Sequence, residues 1–145
     1  MRALWAVMGV MIAVVIGGHA SAADLTVIVS GVRGATGSVR ICVFGGPRGF
    51  PDCTAGPAIQ RRGVQAAKGN VRAVFSGLPP GTYAVTAFHD EKNAGRVETN
   101  FLGIPRSGVG ATNDPVTRFG SPTFQDAAFT LPDEPATVTV TLRYP

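Results

Sequence analysis

The chain has two histidines, and only His89 lies beyond the first 22 residues. Asp90 follows it directly, and a carboxylate beside an imidazole is a minimal pair for general acid–base work. Asp126 is a second acid that could serve the same histidine. A hydrolase built on that pair would also need an activated hydroxyl, from Ser30, Ser38, Ser76, Ser107 or Ser121. None of the five sits in a G-x-S-x-G turn. A lone histidine without a second catalytic group is weak support for chemistry. The favoured expectation assigns no catalytic residue. It places His89 at a strand end with its ring nitrogens bonded to loop backbone. A hydrolase using His89 with Asp90 or Asp126 is the alternative. One histidine excludes a multi-His zinc site, and no cofactor is expected.

Asn100, Arg118 and Asp126 join His89 and Asp90 as the residues expected to face a ligand. Arg118 could form a clamp with Asp126 or present its guanidinium to an anion. The clamp is preferred, because a sheltered arginine usually finds a carboxylate. Phe101 and Phe119 are expected to anchor this region in the core, and Asn100 to tie a turn backbone.

Cys42 and Cys53 are the only cysteines. Gly45-Gly46-Pro47 and Phe50-Pro51-Asp52 lie between them and supply turns that let the ends meet. In an oxidising compartment an even count favours a bridge. Closing a loop of this length stabilises by about 3 kcal/mol in the chain-entropy model.

That compartment is read from the N-terminus. Arg2, the apolar run Leu4 to Ile16, the break at Gly17-Gly18 and the small residues Ala20-Ser21-Ala22 form the three parts of a secretory signal peptide. The cut is expected between Ala22 and Ala23, making residues 1–22 a removed segment and 23–145 a single domain. The run is shorter than the ~20 residues a spanning helix needs. The remaining ~120 residues suffice for one core. Lys and Arg total 13 against 9 acids. The bases are scattered and no rings interleave with them, which excludes a nucleic-acid groove.

The elements that must position these residues follow from period-2 alternation. Leu25, Val27 and Val29 mark one strand; Val39, Ile41 and Val43 another; Val71, Ala73 and Phe75 a third. Tyr83, Val85 and Ala87 mark a fourth, and Val138, Val140 and Leu142 alternate most cleanly. Ala127 to Leu131 is a shorter candidate. No window offers a helical stripe, and 19 Gly with 11 Pro separate the runs. The pattern predicts an all-β, antiparallel β-sandwich, prealbumin-like or Ig-like. In Leu78-Pro79-Pro80-Gly81-Thr82-Tyr83, Pro80-Gly81 reads as a type II turn, with the Tyr83 hydroxyl returning to the turn backbone. Residues 90–122 lack alternation, yet Phe101, Leu102, Ile104, Val109, Val116 and Phe119 demand packing. An ordered excursion over one end of the sandwich is expected there.

The ordered series Leu78 to Val85, Phe88-His89-Asp90-Glu91, Thr99-Asn100-Phe101-Leu102-Gly103-Ile104-Pro105, Arg118-Phe119-Gly120-Ser121-Pro122 and Phe124 to Phe129 resembles the bacterial family called domain of unknown function 2141. The resemblance covers the chain after the signal peptide. It implies an exported single-domain β protein with no established activity. It also implies a loop after the histidine similar to a calcium loop, which asks for oxygen donors at its first, third and fifth positions and Gly at the sixth. Asp90 and Gly95 fit that pattern. Lys92 and Ala94 do not, so no metal is expected and a degenerate loop from Asp90 to Gly95 is a further alternative. The resulting expectation is a non-enzymatic binding or envelope-associated module, periplasmic or extracellular and monomeric. It would meet a small molecule, glycan or envelope protein through its 89–126 surface.

Overall fold

The computed structural model describes residues 12–14, 22–54, 56–115 and 121–145. Most of the expected signal peptide, together with Arg118 and Phe119, lies outside the described residues. Among those described, no helix is long and apolar enough to cross a membrane.

The alternating runs become β1 (Ala23–Val32), β2 (Ser38–Phe44), β4 (Gly69–Leu78), β5 (Gly81–Asp90) and β8 (Ala136–Thr141). Three further strands are β3 (Gln60–Gln65), β6 (Val109–Ala111) and β7 (Phe129–Leu131), and a single helical turn, α1, spans Phe124–Ala127. One sheet has the order β4-β1-β8. The other runs β3-β2-β5-β6, and β7 pairs with β5 beside β6. The protein is a two-sheet, nearly all-β structure as expected. One pairing departs from pure antiparallel order: β8 runs parallel to β1, from Leu25 opposite Ala136 to Ser30 opposite Thr141.

The alternating residues face inward from both sheets. Leu25, Val27, Val29, Ala73, Phe75 and Val140 meet Val39, Ile41, Val43, Val85 and Ala87 in one core. The sheet containing β2 and β5 is also covered on its outer side. Cys42, Phe44 and Ala84 pack there against Phe50, Phe124 and Ala127. Phe50 touches Phe44 and Phe124 edge to face, with ring centres 5.3 and 5.9 Å away. β5 is therefore buried on both faces from Tyr83 to Asp90. His89 and Asp90 are both buried within these packed layers.

Local chemistry sets the corners. Tyr83 donates its hydroxyl to Pro79 O at 2.5 Å, the expected return to the turn backbone. The positive φ expected at Gly81 falls instead at Gly77 (φ 74°), because Gly81 already belongs to β5. Thr112 joins the layers where β6 ends. It exchanges bonds with Val85, whose N–H it accepts at 3.1 Å, and donates to Ala127 O at 2.5 Å.

Candidate functional site

Strand alternation sends His89 and Asp90 to opposite faces of β5. His89 sits opposite Val39, on the core side, and is 1% exposed. Its Nε2 lies 2.7 Å from Thr36 O, which can only accept, so this nitrogen carries the proton. In the neutral ring Nδ1 then accepts from the Tyr144 hydroxyl, also at 2.7 Å. The Tyr144 oxygen in turn accepts Arg33 N–H at 3.1 Å. The Arg33 guanidinium lies over the Tyr144 ring, 4.5 Å from its centre, and pairs with Glu91. Burial pushes the Tyr144 phenol above its ordinary pKa, with Arg33 acting weakly the other way. His89 thus ties the Arg33–Thr36 turn to the C-terminal end of the chain. Neither ring nitrogen is left for a substrate.

Asp90 faces outward and is nonetheless 2% exposed. Its Oδ1 accepts Ala94 N–H and its Oδ2 accepts Gly95 N–H, both at 2.8 Å, and Arg40 Nε donates to Oδ2 at 3.2 Å. Asn93, at φ 51°, accepts from Ser38 at 3.0 Å. The carboxylate thereby organises its own loop. Among the described residues no three His, Cys, Asp or Glu side chains gather as a metal site would require.

Beyond this loop the chain forms a hairpin finger from Glu98 to Arg106. Arg106 N–H donates to Glu98 O at 2.7 Å, and Asn100 N–H to Ile104 O at 2.9 Å. Asn100 does tie the turn: its Oδ1 accepts Leu102 N–H at 2.9 Å and Ile104 N–H at 3.0 Å. Gly103, at φ 77°, gives its N–H to Asn100 O at 3.0 Å. The expected anchoring role of Phe101 is corrected here. Phe101 is 95% exposed, Leu102 68% and Ile104 52%. The tight turn consumes the backbone bonds and leaves these side chains pointing away from any core.

The finger is held to the sandwich at its base. Glu98 N–H donates to Ser107 Oγ at 3.1 Å, and His89 N–H to Gly108 O at 2.8 Å. A Cβ on Gly108 would stand 2.4 Å from Tyr144 Cζ, so only glycine lets that ring lie against the finger's root. Lys92, Arg96, Val97, Glu98, Thr99 and Arg106 line a cleft of about 490 Å³ beside the finger. Lys92 pairs with Glu98 at 3.0 Å. Among the described residues Arg96 and Arg106 have no acidic partner.

Asp126 sits apart from these groups in function. It closes a capping box at α1, accepting Thr123 N–H at 3.0 Å while Thr123 Oγ1 accepts Asp126 N–H at 3.2 Å. Those bonds hold its carboxyl below the usual pKa. Its expected partner Arg118 lies outside the described residues. Asp114 pairs with Arg143, whose Nε donates at 3.1 Å. Cys42 and Cys53 form the expected bridge, Cα atoms 5.6 Å apart, fixing the 45–58 loop over the outer face of β2.

The family model described as an uncharacterized protein conserved in bacteria, DUF2141, matches residues 27–139. The chain belongs to that family. No curated protein and no solved structure matches it. The match begins inside β1 and ends inside β8, so the DUF2141 region holds both sheets, the finger and α1. Within it, the polar residues expected to meet a ligand are engaged internally at His89, Asp90 and Asn100. This DUF2141 chain presents outward, among other features, an exposed apolar tip and a cleft lined by Lys92, Arg96 and Arg106. Sequence reasoning gives Tyr144 and Gly108 no role and offers Ser107 only as a hydroxyl for a hydrolase, whereas its Oγ accepts Glu98 N–H. A tyrosine one residue from the C-terminus and a Ser-Gly pair in a loop carry no periodic signal.

Proposed function

We propose that the protein is an exported, non-enzymatic docking module of the bacterial envelope that meets its partner through the 98–106 finger and the cleft beside it. The N-terminal signal-peptide pattern and the Cys42–Cys53 bridge support export to the periplasm or beyond. The observation that carries the docking reading is Phe101 at 95% exposure on a hairpin bonded at both ends. Folding free energy gives no reason to hold a phenylalanine, a leucine and an isoleucine in water together, whereas an interaction site does. The candidate partners are a small molecule, a glycan or an envelope component. The hydrolase reading asks for a free nitrogen on His89, and both are engaged within the fold.

The test is site-specific photo-crosslinking in an exporting bacterial host, with p-benzoyl-phenylalanine in place of Phe101. The expected result is a discrete adduct with an envelope component, absent when the photoreactive residue replaces Gln125 on α1. No adduct at position 101 after irradiation, or only the diffuse background also seen at position 125, would refute the docking reading.

A further inference from the structure

We infer that the finger is a wedge for anionic membrane surfaces, its tip entering the boundary between headgroups and acyl chains while its basic root engages lipid phosphates. This rests on the docking reading and names its partner. Three observations carry it. The tip is apolar and projects: Phe101, Leu102 and Ile104 are all exposed. Most N–H groups of the tip are also bonded within the hairpin. The N–H groups of Asn100, Leu102, Gly103, Ile104 and Arg106 each find a partner inside the hairpin, and Pro105 has none to satisfy. Hydrocarbon offers no hydrogen-bond partners, so these internal bonds lower the cost of entry, and the Phe101 N–H, which none of them includes, stays at the wet headgroup level. Finally, Lys92, Arg96 and Arg106 surround the root with Glu98 as their sole acid in the cleft. With Lys92 and Glu98 paired, Arg96 and Arg106 remain to face phosphates.

The geometry suits shallow entry. A tip of about five residues reaches the interfacial zone, where buried apolar area and attraction to anionic lipid add together. Basic residues near such a surface each strengthen binding by about fivefold. The charge complementarity therefore selects an anionic bilayer over a neutral one.

The chain's only tryptophan is Trp5, which permits a local reporter. In a Trp5→Phe background, Phe101→Trp places one indole at the tip, whatever becomes of the N-terminus. The full chain is mixed with vesicles of phosphatidylglycerol and phosphatidylcholine, or of phosphatidylcholine alone. The expected result is a blue-shifted emission, quenched by lipids brominated along the acyl chain, with the anionic vesicles only. Adding Arg96→Gln and Arg106→Gln should weaken that binding about 25-fold, at roughly fivefold per charge. Adding Leu102→Ser and Ile104→Ser should weaken it at least tenfold while leaving the melting temperature unchanged. An indole that stays water-exposed with anionic vesicles overturns the proposal, as does equal binding to neutral vesicles. A silent reporter together with a protein adduct in the crosslinking experiment would remove the lipid assignment and leave docking intact. Silence in both would remove the two together.

Discussion

Replacing Tyr144 by phenylalanine isolates the bond that secures His89. The ring keeps its edge-to-face contact with His89, centres 6.0 Å apart, and its place under the Arg33 guanidinium. Only the oxygen is lost. His89 is 1% exposed, so its Nδ1 loses the 2.7 Å partner and cannot recover one from water. A buried polar atom left in that state costs about 1–3 kcal/mol. Arg33 N–H, bonded to the same oxygen at 3.1 Å, is exposed and regains water at little cost. The expected loss is about 2 kcal/mol, equivalent to a fall in melting temperature of roughly 6–10 °C for a domain of this size. Urea unfolding of the oxidised protein at neutral pH would read it as a lower midpoint with an unchanged slope. A cycle with His89→Leu should show a coupling of about 1 kcal/mol or more between the two positions. The burial of the same tyrosine carries a pH signature. Burial raises the Tyr144 pKa above 10.0, so the folded chain keeps a proton that the unfolded chain has lost. This contribution is complete below about pH 10 and declines as pH climbs through the folded-state value. Tyr144→Phe should flatten that alkaline decline. A variant within about 0.5 kcal/mol of wild type, or an additive cycle, would refute the account of His89 as a fastening residue.

Gly108→Ala places a Cβ 2.4 Å from Tyr144 Cζ, with the rigid ring as obstacle. Overpacking of this kind should destabilise by about 1–3 kcal/mol and loosen the finger's root, visible as faster amide exchange at His89. Replacing Cys42 and Cys53 together by alanine removes the tether over the outer face of β2 and should cost about 3 kcal/mol. Thermal melting without reductant measures that loss, and an unchanged melting temperature would count against the bridge as a stabilising element.

The fold was legible wherever burial is one-sided. β1, β4 and β8 alternate because one face meets the core and the other meets water, and the pattern in Leu25 to Val29 or Val138 to Leu142 records that directly. β3 was not legible. Gln60–Gln65 is an edge strand with Val64 as its one aliphatic residue, and its pairing with β2 is through backbone. β6 is three residues long with Gly110 at its centre, because a Cβ there would stand 2.2 Å from Thr141 O. Close approach demanded a residue that reads as loop. The finger misled for a different reason. Apolar side chains in a loop usually signal packing, and that rule places Phe101 against the core, where the structure does not. Sequence carries residue type but not the direction in which a tight turn aims it.

That failure bears on function. Four of the polar residues expected to face a ligand do structural work: His89 fastens a turn, Asp90 organises a loop, Asn100 closes the finger, Asp126 caps α1. Fully burying a leucine, isoleucine or phenylalanine is worth about 1.5–3 kcal/mol each. Phe101, Leu102 and Ile104 forgo most of that gain, although the bonds around Asn100 would hold the same turn with polar side chains in their place. Stability therefore explains the support and leaves the tip unexplained. Polar substitutions at the three positions should be neutral for folding, and whatever they abolish in the cell is the work the finger performs.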